Sequence, residues 1–313
     1  MNKIIHILAL TLPLLSGSLS AADWTPLHVL KAAGDSAILF APVKVNGYDA
    51  KPLCLQVDTG ADHSLINRAV LDQNKIPYIA YTPTTARLPN ILFMDGVETI
   101  GRRTRRQLFV EMDGGGWIEE AGCLKIGSIG MDMLAGSITL IDYPAKQLYV
   151  ADQANDAVLS AVTSRASFGP MTINTNMKLL IDATIGDYKL ANLMFDTGAA
   201  VDLALNASSW AQLKKLGLIT NEQPKSQLGY RFGKPLYCVT ASGSQPLTIV
   251  SSVKAKWTGK QCDTSSFEHS GIVSNTPFVS GTVVLDMQAM RFGYVPNSTA
   301  AVAPLTQSNH TMQ

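Results

Sequence analysis

Two short acidic motifs in this 313-residue sequence contain the residue types that acid–base chemistry needs. Asp58 opens the run Asp-Thr-Gly-Ala, and Asp196 opens the same run 138 positions later. Acid–base catalysis of hydrolysis uses one carboxylate that takes a proton from water and a second, protonated carboxyl group that donates one. Each motif supplies one such group, so the sequence predicts that Asp58 and Asp196 act as a pair.

The elements around the two motifs repeat as well. Each run follows an alternating strand, a glycine-containing hairpin turn and a second apolar strand, and each precedes another strand and a short helix. Asn67 and Asn206 are the predicted N-caps of these helices, and Gly217 is predicted to end the second one. Residues 137–150 and 281–295 both have the pattern of a closing hairpin. With 24 Gly, 15 Pro and 16% charged residues, the composition favours turn-rich β structure over coiled coils.

These residues resemble the retropepsin-type aspartic peptidases, especially bacterial aspartyl-protease-like proteins. The resemblance rests on Asp58-Thr-Gly-Ala-Asp-His-Ser, on Ile129-Gly-Met-Asp-Met-Leu and on the following hairpin, and residues 285–296 resemble the closing hairpin of pepsin lobes. It covers roughly residues 37–152 and 175–297. It implies an all-β protein of two retropepsin-like β-barrel lobes in a pepsin-like bilobal unit, which hydrolyses peptide bonds with a water held between the two aspartates.

The resemblance also implies that six loop residues support the pair: Thr59, Gly60, Ala61, Thr197, Gly198 and Ala199. The two threonines would point away from substrate and bond to the opposite loop, while the two glycines allow a sharp turn and close backbone approach. The two alanines stand where pepsin-like lobes commonly carry Ser or Thr. The missing hydroxyl groups predict higher pKa values for the pair and a mildly acidic pH optimum.

Several positions depart from the family pattern. Asp62 matches a retropepsin aspartate that binds substrate backbone, but Met131 replaces the arginine that holds it, so Asp62 is either a substrate-binding residue or a surface charge. Ser274 occupies the place in the second half that Gly130 has in the first. Its side chain is expected to lie close to the second active loop.

The hairpins that close over substrate in this family have two candidates, residues 94–106 and 229–233. Tyr230 is a candidate substrate-binding residue, with a half-buried strand aromatic as the alternative. Four arginines in the first candidate either favour acidic peptides or protect a solvated hairpin edge from pairing: Arg102, Arg103, Arg105 and Arg106.

The first 22 residues have the pattern of a secretory signal, with Lys3 before an apolar stretch of about 12 residues and cleavage expected after Ala22. That stretch is shorter than the ~20 residues of a spanning helix, although an uncleaved anchor is the alternative. The predicted location is periplasmic or secreted, where disulfides form.

Two cysteines fall in each half, which favours the pairs Cys54–Cys123 and Cys238–Cys262 over other pairings or four buried thiols.

The predicted organisation is a signal peptide at 1–22, a lobe at 23–152, a linker at 153–174, a second lobe at 175–297 and a disordered tail at 298–313. A formal charge of +1 gives no support for binding nucleic acid or, after signal cleavage, a membrane. The histidine spacing predicts no metal, and no cofactor is implied. We expect a monomer that acts on peptides or proteins. The alternatives are a catalytically silent relative that binds peptides between its lobes and an enzyme assembled between two chains.

Overall fold

The computed structural model describes residues 24–31, 37–83, 89–112, 122–153, 156–231, 234–262 and 269–297. The predicted signal peptide and C-terminal tail therefore lie outside the described residues. Within the described ranges, none of the helices has the length and apolar character needed to cross a membrane.

The N-terminal half is a β-barrel with two short helices. Its elements are β1 Thr25–Pro26, β2 His28–Lys31, β3 Ala37–Val45, β4 Tyr48–Val57, β5 Leu65–Ile66, α1 Arg68–Asn74, β6 Ile79–Tyr81, β7 Ile91–Thr99, β8 Arg102–Glu111, β9 Leu124–Ile129, α2 Met131–Leu134, β10 Ile138–Asp142 and β11 Gln147–Ala151. Pairing runs from β3 through β4, β9, β5, β8 and β7 and back to β3, which closes the barrel. Alternate residues such as Leu53, Leu55 and Val57 fill its core.

The C-terminal half repeats this order. Its elements are α3 Ala157–Thr163, β12 Ser167–Ile173, β13 Leu179–Ile185, β14 Tyr188–Phe195, β15 Leu203–Leu205, α4 Ala207–Lys215, β16 Ile219–Arg231, β17 Lys234–Gly243, β18 Leu247–Ile249, β19 Val253–Ala255, β20 Thr258–Cys262, β21 Gly271–Val273, a 3₁₀ turn at Thr276–Phe278, β22 Gly281–Asp286 and β23 Arg291–Pro296. Three mutually packed aromatic rings stand near the base of its core: Phe195, Phe278 and Phe292.

One sheet joins the two halves in the strand order β1, β11, β10, β22, β23, β12. β10 and β22 are antiparallel, and Leu140 lies directly opposite Val284. On either side, Asp142 pairs with Thr282 and Ile138 with Asp286, so the two closing hairpins are related by a local twofold axis. The prediction of an all-β protein with two similar lobes is confirmed.

In each lobe, a central strand inserted between two others fixes the loop that carries the aspartate. β9 lies between β4, to which it is parallel, and β5, to which it is antiparallel. β21 lies in the same way between β14 and β15. The loop that connects β4 to β5 therefore passes over the end of β9, and the loop that connects β14 to β15 passes over the end of β21. The strands at both ends of each loop are paired with the central strand.

The predicted caps of the two helices are present. The Asn67 and Asn206 side chains accept hydrogen bonds from the third residue of α1 and α4, as N-caps do. Gly217 has a φ of +67°, just past the end of α4.

Residues 153–174, predicted as a linker, contain α3 and β12, and β12 pairs with both β23 and β13. The connection between the lobes is therefore part of the shared sheet.

Both predicted disulfides are present. Cys54–Cys123 joins β4 to the residue before β9, with 5.8 Å between the Cα atoms. Cys238–Cys262 joins directly opposed residues of β17 and β20. The prediction of one disulfide within each half is confirmed.

The first candidate for a closing hairpin, residues 94–106, is wrong. Its turn contains Ile100, which is 1% exposed, and Thr99 pairs with Val43 of β3. This turn is therefore built into the barrel wall. Of the arginines around it, Arg106 pairs with Asp95 at 2.6 Å and Arg102 contacts Asp152, which fits a solvated strand edge.

Candidate active site

The two predicted aspartates meet at the interface between the lobes. The Asp58 N–H donates to the carbonyl of Ile129 and the Asp196 N–H to that of Val273, each at 3.0 Å. These bonds attach both residues to the central strands β9 and β21. The two carboxyl groups lie close enough to interact with each other, and both residues keep partial contact with solvent. The pair thus forms within a single chain.

Thr59 and Thr197 connect the two loops behind this pair. Both are fully buried. Each threonine N–H donates to the hydroxyl oxygen of the other, at 3.0 and 3.1 Å. Each hydroxyl in turn donates, at 2.7 Å, to the carbonyl of the residue before the opposite aspartate, Phe195 or Val57. Four buried hydrogen bonds therefore fix the separation of the loops.

Gly60 and Gly198 provide the space in which the carboxyl groups meet. An ideal Cβ atom on Gly60 would collide with the Asp196 carboxyl group, and one on Gly198 would collide with that of Asp58. The N–H of each glycine also donates to the aspartate of its own loop, at 3.0 Å in the first lobe and 2.9 Å in the second. Any larger side chain would separate the pair.

Ala61 and Ala199 follow these glycines without a side-chain donor. Their N–H groups donate to the backbone carbonyls of Asp58 and Asp196, at 3.2 and 3.3 Å. They support the loop turns through the backbone, and a methyl group stands where a hydroxyl donor would be.

Burial and mutual repulsion shift the acidity of the carboxyl pair. Burial raises the pKa of Asp58, and the Gly60 N–H partly offsets this. Burial, followed by the negative charge of Asp58, raises the pKa of Asp196 to about 7. Two adjacent carboxyl groups cannot both ionise cheaply, so the pair keeps one proton through mildly acidic pH.

Three polar residues at the lobe interface were not predicted from the sequence. The Lys178 ammonium group donates to the Gly60 carbonyl at 2.5 Å. The Gln56 amide donates to the Gly198 carbonyl at 3.0 Å and accepts from Lys125 at 2.5 Å. Each active-loop glycine is thus held by a side chain of the opposite lobe. Burial lowers the pKa of Lys125 to about 8.

A hydrogen bond between a hydroxyl and a carboxylate supports each loop. The loop carries the hydroxyl in the first lobe and the carboxylate in the second. In the first lobe Ser64 donates to Asp132 at 2.7 Å, and in the second Thr276 donates to Asp202 at 2.9 Å. Ser274 is fully buried, and its hydroxyl donates to the carbonyl of Val201. The second active loop therefore accommodates the serine that replaces glycine.

Comparison with solved structures identifies the architecture. Conglutin gamma, a unique basic 7S globulin from lupine seeds, matches with a TM-score of 0.50 and 10% identity over 88% of this chain and 96% of its own. Basic 7S globulin from soybean matches with a TM-score of 0.48 and 12% identity, over 88% and 97%. Conglutin gamma has the pepsin-like bilobal fold. This chain has that fold too. No family model and no curated protein sequence matches it, and identities this low establish the fold alone.

Two residues that differ from the retropepsin pattern have clear positions in this pepsin-like fold. Met131 is fully buried in the core of the first lobe, where an arginine would be costly. Asn275, its counterpart, donates to the carbonyls of Ala37 and Thr197, at 2.6 and 2.9 Å, and accepts from Tyr143 at 2.6 Å. Asn275 therefore connects the lobes through neutral hydrogen bonds.

Asp62 and Tyr230 are the two predicted substrate-binding residues. Asp62 is half exposed, and its carboxylate accepts from the His63 N–H at 3.1 Å. Tyr230 lies on β16 opposite Pro235, and its side chain is outside the described residues. Substrate binding by either residue stays a prediction. In the described ranges, no group of three or more His, Cys, Asp or Glu residues could hold a metal ion.

Proposed function

We propose that this protein is an aspartic endopeptidase, and that Asp58 and Asp196 together activate a water molecule. The observation that carries the proposal is the placement of the two carboxyl groups beside each other, each against the active-loop glycine of the opposite lobe. A proton shared between two carboxyl groups gives one base and one acid at the same pH. The raised pKa of Asp196 supports its assignment as the acid.

The proposed reaction uses the chain's own groups throughout. Asp58, ionised, takes a proton from water as the oxygen attacks the peptide carbonyl carbon. Asp196, protonated, donates a hydrogen bond to the carbonyl oxygen and so stabilises the negative charge that develops there. The proton taken up by the pair is then delivered to the leaving amine.

The proposed setting is the periplasm or the outside of the cell, with the mature chain acting as a monomer on peptides or proteins. Two disulfides support an oxidising compartment. The internal carboxyl pair supports a monomer, since a second chain is not needed to assemble it.

Digestion of a diverse peptide pool, followed by mass spectrometry of the products, tests the proposal. We expect cleavage by the wild-type chain and none by Asp58→Asn or Asp196→Asn, and the double variant should be hardly worse than either because the two groups act as a unit. Asp95→Asn is the matched control, since Asp95 is a surface partner of Arg106.

Two results would contradict the endopeptidase. Substantial activity in one single variant would show that the aspartates do not share the chemistry. A folded wild-type chain that binds peptides without cutting them would instead support the silent peptide-binding alternative.

A further inference from the structure

Lys178 reaches the carboxyl pair from the opposite lobe. Its ammonium nitrogen lies 2.5 Å from the carbonyl oxygen of Gly60, 118 residues away in the chain. Gly60 is also the residue whose N–H bonds to Asp58 and whose missing side chain leaves room for the Asp196 carboxyl group. The positive charge is therefore bonded to a residue that contacts both carboxyl groups, as Gly198 does in the other loop.

The turn before β13 is built in a way that fixes Lys178. The Asn174 side chain accepts from the N–H groups of Asn176 and Lys178, at 3.0 and 2.9 Å. The Asn174 N–H donates to the Lys178 carbonyl at 3.1 Å, and Met177 has a φ of +56°. This local network orders the backbone of Lys178, so less conformational freedom is lost when its side chain reaches across the interface.

The position in the first lobe that is equivalent to Lys178 carries no cation. Eighteen residues before Asp196 stands Lys178, but eighteen before Asp58 stands Phe40. The Lys125 ammonium lies 5.1 Å from the centre of the Phe40 ring and donates to the Gln56 amide oxygen, and the Gln56 amide nitrogen donates to the Gly198 carbonyl. The two lobes therefore place positive charge unequally around an otherwise symmetric pair.

We propose that Lys178 is a positioning residue that sets the pH range in which the Asp58–Asp196 pair holds a single proton. A positive charge near both carboxyl groups favours their ionised forms and opposes the effect of burial. Other charged groups on the elements around the pair are Lys125 on β9, Asp62 and His63 on the first loop, Asp202 on the second and Asp132 on α2. Lys178 interacts electrostatically with both carboxyl groups, and Lys125 interacts with Asp58.

Four variants separate the charge of Lys178 from its hydrogen bond. Lys178→Met removes both, Lys178→Gln keeps a donor without the charge, and Lys178→Arg keeps the charge. Lys189→Met removes an exposed lysine of the same lobe, one that pairs with Asp182 at 2.6 Å, and is the matched control.

The readout is the titration of the two carboxyl carbons by carbon-13 NMR, with signals assigned from Asp58→Asn and Asp196→Asn. We expect Lys178→Met and Lys178→Gln to move both titrations to higher pH, by about one pH unit for the last proton. Lys178→Arg and Lys189→Met should titrate like the wild type. Should the Met variant fail to fold, the Gln variant gives the same test.

Unchanged titrations in Lys178→Met and Lys178→Gln would overturn the proposal, as would an equal shift in Lys189→Met. The titration needs no activity, so it decides the role of Lys178 even if the chain cuts no peptide. The effect on catalysis rests on the function proposed above. There, the pH–rate profile of the Gln variant should move to higher pH, whereas a merely structural role would lower activity without moving the profile.

Discussion

Thr59 and Thr197 each donate a backbone hydrogen bond to the other's hydroxyl oxygen across the lobe interface, at 3.0 and 3.1 Å. Because each hydroxyl also donates onward to a buried carbonyl, neither threonine can lose its hydroxyl without leaving a donor and an acceptor unpaired. The bonds that align the catalytic candidates are therefore also bonds that hold the lobes together.

Thr59→Val should destabilise the protein strongly for an isosteric change. Two buried groups lose their partners, at a cost of about 1–3 kcal/mol each. Thr197→Val removes the other two of the four bonds and should behave alike, so the double variant should lose all four and about the sum of the two losses in stability. Denaturant unfolding measures these values, with Thr258→Val on the exposed face of β20 as the control. A Thr59→Val variant as stable as that control would contradict the network.

Peptide cleavage should have a bell-shaped pH dependence with a mildly acidic optimum. Activity should fall as pH rises through about 7, where Asp196 loses its proton. It should fall again at low pH, where Asp58 gains one. Ala61→Ser combined with Ala199→Ser adds hydroxyl donors that favour the ionised forms, so the optimum should move to lower pH. An unchanged or higher optimum in a folded double variant would show that other groups set the protonation.

Asp196→Asn should stabilise the fold at neutral pH. The folded-state pKa of Asp196 lies above the ordinary unfolded value of about 4, so between pH 4 and 7 the folded wild type holds a proton that the unfolded chain releases. Wild-type stability therefore declines as pH rises through this window. The variant should be more stable by about 2–4 kcal/mol at pH 8 and nearly equal to wild type below pH 4.

Urea unfolding at several pH values measures this difference. Asp95→Asn should give the opposite sign, since the hydrogen bond from Arg106 lowers the pKa of Asp95 and favours its charged form. A wild-type chain whose stability is flat between pH 4 and 8, relative to Asp196→Asn, would contradict the raised pKa.

The two disulfides should contribute unequally. Cys54–Cys123 spans 69 residues and Cys238–Cys262 spans 24, and in the chain-entropy model the longer loop constrains the unfolded state more, by about 4 against about 3 kcal/mol. Paired Cys→Ala variants measured by denaturant unfolding test the order. Non-reducing peptide mapping provides the control, and a link between the halves would contradict both pairings.

Much of this architecture could be predicted because it depends on local patterns or on repetition. The N-caps Asn67 and Asn206, the paired aspartates and the disulfide pairs follow from short motifs and from their placement in two similar halves. The strand in the predicted linker could not be read from local patterns alone, since residues 167–170 of β12 pair with β23, which follows by more than 100 residues in the chain.

The lysine contacts also required the three-dimensional structure. The bond from Lys178 to Gly60 depends on how two lobes sit against each other, and sequence spacing within one lobe carries no information about that. Gln56 and Lys125 left a usable signal, however. Gln56 stands between Leu55 and Val57, and Lys125 stands between Leu124 and Ile126. A polar residue among buried apolar neighbours needs a hydrogen-bond partner.

The shared sheet has a consequence for the order of folding during synthesis. β10 is complete by residue 142, but its outer neighbour, β22, spans Gly281–Asp286 near the end of the chain. Until that segment emerges, the N-terminal lobe presents an open strand edge rich in Ile and Leu, the kind of edge on which chains associate wrongly. β22 therefore covers the exposed edge of the first half. A chain that ends before Gly281 should aggregate through its N-terminal lobe, although nearly all of that lobe's own residues are present.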